Sequence, residues 1–143
     1  MPTVYETTRL IGEQLVRKKV LTQTQLKEAV EKQRLSGRLL GDVLIELGYA
    51  TEDQVTEALS EQVDIPFVDV STYEIDPTLL SAFPAEFLRE QFVIPLFKIE
   101  TTYTVAMADP MNIRVIDRLR FISHGEVEPV FGTKTSIRKA LDQ

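Results

Sequence analysis

Apolar residues in the first half of the chain recur at helical spacing, and the whole pattern occurs twice. Between Arg38 and Gln62, the residues Leu39, Leu40, Val43, Leu44 and Leu47 mark one buried helical face, and Gly48 follows as a left-handed stop. Thr51-Glu52-Asp53-Gln54 then restarts a helix as a capping box. The Thr hydroxyl accepts from the Gln54 backbone N–H, and the Gln side chain accepts from the Thr backbone N–H. An offset of 29 residues reproduces the arrangement between Arg9 and Gln33. It pairs Arg9 with Arg38, Leu10 with Leu39, Gly12 with Gly41, Leu15 with Leu44, Thr22 with Thr51, Gln25 with Gln54 and Gln33 with Gln62. The pattern predicts helices over 6–18, 22–36, 39–47 and 51–63. Together they form a helical repeat subdomain, 1–63, with copies at 9–33 and 38–62.

Past Pro66 the periodicity changes. Phe67 to Val70 reads as a short strand, Asp76-Pro77 as a cap with proline at the first helical position, and Pro84 as the opening of a turn of helix ending near Glu90. Two apolar runs, Phe92 to Ile99 and Thr102 to Ala108, predict a β-hairpin, with Pro95 pushing the first strand toward an edge or a bulge. Asp109-Pro110 reads as the cap of a helix that stops at His124-Gly125, after which come a strand over 126–131 and a helix over 135–141. A strand, helix and strand of this spacing pair in parallel through a crossover. The expected fold is therefore α+β, with the four-helix repeat followed by a small α/β subdomain, 64–143, built on a mixed sheet.

Gly12 and Gly41 stand inside predicted helices, where glycine costs about 1 kcal/mol relative to alanine. Either a neighbouring helix passes close by, or a planar ligand lies on the exposed backbone. Leu15 and Leu44 are expected to face the core in both cases.

Composition narrows the chemistry. Sixteen Lys and Arg against 22 Asp and Glu give a net charge of −6, which argues against a nonspecific hold on a nucleic acid polymer. There is no cysteine and one histidine, His124, so neither a thiolate nucleophile nor a Cys- or His-rich metal site is available. His124 reads as a helix C-terminal residue. Gly132-Thr133-Lys134-Thr135 lacks the upstream glycine of a P-loop and reads as a strand-to-helix turn. Asp109 and Asp117 fall at a cap and on a helix face, not at an acid/base pair. No catalytic residue, metal site or enzymatic cofactor is assigned. Arg17-Lys18-Lys19, with Arg9, Arg34 and Arg38, is either a set of cationic helix ends or a site for a small anion or an acidic partner. No apolar run approaches the ~20 residues of a membrane helix, and the chain reads as cytoplasmic, without membrane insertion of its own.

The pairing of this repeat with Met107-Ala108-Asp109-Pro110-Met111-Asn112 resembles the N-terminal, GspE or MshEN-like, domain of type II secretion and type IV pilus assembly ATPases. The likeness extends from about Arg9 to Leu141; its most specific pieces are Leu40 to Gly48, Ala58 to Asp69 and Ile116 to Phe121. It implies a noncatalytic adaptor and regulatory domain that docks to a secretion or pilus platform protein, or to a regulatory protein. It also implies recruitment to the inner membrane through that partner, and a C-terminal ATPase domain in the parent chain. Some members bind cyclic di-GMP through two copies of a motif that follows this repeat. The resemblance then implies Arg9, Leu10, Gly12 and Leu15 in the first copy, and Arg38, Leu39, Gly41, Leu44 and Gly48 in the second, as ligand-binding positions. The motif's arginine stands one place earlier here, with Leu10 and Leu39 in its position, and Lys19 replaces the second glycine of copy one.

Overall fold

The computed structural model describes residues 4–143, with side chains from Ile11 onward. The chain divides into two compact units, Met1–Asp64 and Ile65–Gln143. In the first, four helices follow the repeat: α1 Val4–Arg17, α2 Gln23–Ser36, α3 Leu40–Glu46 and α4 Glu52–Val63. Both capping boxes are formed. Thr22 Oγ1 accepts from Gln25 N at 3.1 Å while Gln25 Oε1 accepts from Thr22 N at 2.8 Å, and Thr51 and Gln54 repeat this at 3.1 and 2.9 Å. Each box satisfies two of the backbone donors that a helix start leaves open. Helix α1 packs on the other three, α2 on α3 and α3 on α4, around a core that includes Ile11, Leu15, Leu21, Ala29, Leu40, Val43, Leu44, Val55 and Ala58.

The second unit is built on a three-stranded sheet, ordered β1 (Val93–Ile99), β2 (Thr102–Met107), β3 (Glu126–Phe131). β1 and β2 form the antiparallel hairpin, and β2 pairs with β3 in parallel, so the sheet is mixed. Pro95, which has no N–H for a ladder, lies on the edge strand beside a register shift between Pro95 and Phe97. Successive strand residues face opposite layers. Val93, Val105 and Met107 meet Val115, Ile116 and Leu119 of α7 (Ile113–Ser123), while Ile94, Ala106 and Val130 meet Ile137 of α8 (Lys134–Leu141). Two short helices, α5 (Pro77–Leu80) and α6 (Ala85–Gln91), precede the sheet. Asp76 caps α5 by accepting from the Thr78 backbone N–H at 2.9 Å and its hydroxyl at 2.8 Å, which holds the carboxyl below its ordinary value. The stability this adds is present above the ordinary carboxylate range and is lost as pH falls through the lowered pKa.

Two expectations are corrected. The strand over Phe67–Val70 is reduced to a single parallel bridge, Phe67 to Phe131, because Asp69 Oδ1 accepts from Ser71 N and turns the chain into a 3₁₀ turn at Val70–Thr72. The cap of α7 is Asn112, whose Oδ1 accepts from Val115 N at 3.3 Å; Asp109 instead closes a turn with Met111 N at 3.2 Å.

Candidate functional site

Each copy of the repeat is two helices joined by a turn whose stop residue is left-handed. Gly48 holds φ 78°, and its counterpart Lys19 holds φ 62°. No atom would lie within 4 Å of a Cβ at Gly48, so its glycine answers to the backbone conformation and not to a close neighbour.

The glycines inside the helices have a different reason. A Cβ on Gly12 would stand 2.6 Å from Leu26 Cδ1 and 3.0 Å from Leu40 Cδ2, and one on Gly41 would stand 2.7 Å from Val55 Cγ1. Leu26 and Val55 are themselves repeat counterparts. In both copies the glycine admits a side chain from the copy's own second helix, so close helix packing accounts for both. Gly12 and Gly41 are buried, as are Leu15 and Leu44, which sit together in the core of the unit.

The remaining described candidates reach solvent. Leu39 opens α3 half exposed, Gly48 is exposed, and Arg38 is exposed and paired with Glu46. The side chains of Arg9 and Leu10 lie outside the described residues. The seven described positions thus separate into a buried set, Gly12, Leu15, Gly41 and Leu44, and an exposed set, Arg38, Leu39 and Gly48. Three of the basic residues are held by separate carboxylates: Lys18 pairs with Glu61 at 2.7 Å, Arg34 with Glu31 at 2.6 Å and Arg38 with Glu46.

Sequence reasoning missed a polar network between α1 and α4. The Gln14 side chain is buried; its amide donates to Glu61, and its oxygen accepts from Gln62 Nε2 at 2.6 Å. The available signal was a break in the repeat, since Gln14 and Lys18 stand where the second copy has Val43 and Leu47. A second cross-link joins the copies where the Tyr49 phenol donates to Glu28, a bond that raises the phenol's pKa, with burial and the carboxylate charge acting in the same direction. In the second unit, Thr133 caps α8 by accepting from Ser136 N, and His124 is the left-handed cap of α7. Among the described residues no three His, Asp or Glu side chains gather as a metal site, and no helix is long and apolar enough to cross a membrane.

A four-helix repeat followed by a small mixed-sheet unit defines the class as a two-part α+β domain. The MshEN domain model matches residues 63–143, and the chain belongs to that family. It is 31% identical over 133 residues to the type IV pilus assembly ATPase PilB of Myxococcus xanthus, a match covering 93% of this chain and 24% of that relative. The chain therefore spans about a quarter of that relative's length, and the likeness is to its N-terminal part. Among solved structures, MshE with cdg (cyclic di-GMP) matches at a TM-score of 0.75 and 26% identity, covering 92% of this chain and 96% of that one. The N-terminal domain of XpsE shares the fold, with a TM-score of 0.69 and 22% identity over 92% of this chain and 91% of that one. The family model falls on the sheet unit, while these longer matches run into the helical repeat as well.

Proposed function

We propose that this chain is a noncatalytic adaptor and regulatory domain of a type IV pilus or type II secretion ATPase. It docks to a membrane-platform or regulatory protein and leaves ATP hydrolysis to a C-terminal ATPase domain of the parent chain. It works in the cytoplasm and reaches the inner membrane through its partner. The observation that supports this reading is the match of nearly the whole chain to about a quarter of PilB. Expressed alone in a pilus-assembling cell, the domain should compete with the intact ATPase for the platform and reduce surface piliation. Unchanged piliation at high expression would contradict docking.

The likeness to MshE with cdg favours a second reading, a cyclic di-GMP receptor built on the repeat. Its candidate positions are Arg9, Leu10, Gly12 and Leu15 with Arg38, Leu39, Gly41, Leu44 and Gly48. In this reading the buried glycines and leucines hold the helices in place. The Arg38 guanidinium exchanges Glu46 for a guanine face, a planar stacking role that lysine would fill poorly. Calorimetry with cyclic di-GMP, and GTP as a control for general guanine binding, tests it. Saturable binding weakened by Arg38→Ala supports the site; unchanged affinity removes Arg38 from it.

A further inference from the structure

Helix α7 buries one face and leaves an unusual one in water. Val115, Ile116 and Leu119 enter the core, whereas Ile113 is 69% exposed and Phe121 is 72% exposed. Ile113, Asp117 and Phe121 follow one another at four-residue spacing along the outer surface, with Arg114 and Arg118 at the same spacing beside them. The Arg118 guanidinium lies 6.0 Å from the centre of the Phe121 ring. Arg120 is held by Asp117 at 3.3 Å and faces Glu126 at 3.9 Å, but neither Arg114 nor Arg118 has a carboxylate partner among the described residues. Two uncommitted guanidinium groups in a chain of net charge −6 are a local reversal of sign. Large apolar side chains beside arginine are the residue types that dominate binding hot spots, and exposed apolar patches rimmed by charge mark interaction surfaces.

We infer that Ile113, Arg114, Arg118 and Phe121 form a docking face for an acidic protein surface. Phe121 enters an apolar recess of the partner, and the two arginines meet carboxylates at its rim. This rests on the docking function proposed above and names the face and the chemistry of the partner. An anionic membrane is the weaker match for the same residues. Each cation near such a surface contributes only about 1 kcal/mol, α7 has two to spare, and Asp117 lies between the apolar residues. Fixed carboxylates on a protein instead engage the planar guanidinium fork directly.

The test measures binding of the full chain to the purified cytoplasmic domain of the pilus platform protein from the same organism. Parallel samples contain phosphatidylcholine vesicles with phosphatidylglycerol. Phe121→Ala and Arg118→Glu should each weaken platform binding about tenfold or more, and added salt should weaken the wild type more than Arg118→Glu. Ile99→Ser, at an apolar side chain of β1 that is also exposed but is not one of the four face residues, should stay within about twofold. Phe121→Leu should recover most of the affinity, and circular dichroism reports whether each variant is folded. If the wild type binds and both α7 variants bind equally well, the α7 face is overturned while the docking function stands. If the wild type does not bind, the docking function fails and this face with it. Vesicle binding that Phe121→Ala removes would overturn the acidic protein partner in favour of lipid.

Discussion

Lys19 and Gly48 occupy the same place in the two copies of the repeat, and both hold a left-handed backbone, at φ 62° and 78°. The glycine adopts it freely, whereas lysine pays roughly 1 kcal/mol or more for it. What the copies share is therefore the conformation of the stop, and the residue that fills it is secondary. Gly12 and Gly41 differ in the opposite sense, because both are glycine but the neighbours are unlike. Leu26 meets Gly12 with the far end of a flexible chain, and Val55 meets Gly41 with a branch fixed close to its own backbone. A repeat of sequence thus encloses one contact of adjustable stiffness and one that is rigid.

The largest effects should fall on the shared core. Leu15→Ala and Leu44→Ala remove equivalent side chains that are 1% and 0% exposed, and each should cost about 2–5 kcal/mol in urea unfolding. Losses for the two that agree within about 1 kcal/mol would support equivalent packing; one near zero would break the equivalence. Next come the internal glycines. Gly41→Ala should destabilise by about 1–2 kcal/mol, since a β-branched neighbour must move. Gly12→Ala should be closer to neutral, because the gain in helix propensity of about 1 kcal/mol offsets rotation of Leu26. A double variant, Gly41→Ala with Val55→Ala, should cost less than the sum of the single changes; additivity would remove the contact as the reason for the glycine. Smallest is the exchange at the stops. Lys19→Gly should raise stability by about 1 kcal/mol and Gly48→Lys should lower it by a similar amount. Equal and negligible shifts would show that the left-handed turns are not what these positions select for.

Features set by neighbours in sequence are legible in the sequence itself. Thr22 with Gln25 and Thr51 with Gln54 fix helix starts within four residues, and Pro95 marks its own strand as an edge with an irregular register. Less was legible where two local solutions compete. Asp109 and Asn112 can both cap, and the choice falls to Asn112 because the Asp109 carboxylate is already engaged with Met111 N. The strand at Phe67 stops after one bridge because Asp69 offers the chain a turn. The two meanings of Gly12 and Gly41 could not be separated from sequence, since the atoms that decide it belong to Leu26, Leu40 and Val55 on other helices. Gln14 joins α1 to α4 across 47 and 48 residues, so the broken repeat marks the position but does not name its partners, Glu61 and Gln62.

Docking without catalysis is tested most directly by titrating the purified chain into the platform protein's cytoplasmic domain in a calorimeter, with and without ATP. The account predicts saturable binding that ATP leaves unchanged, and no hydrolysis by this chain. Absence of binding, or nucleotide turnover by these 143 residues alone, would contradict it.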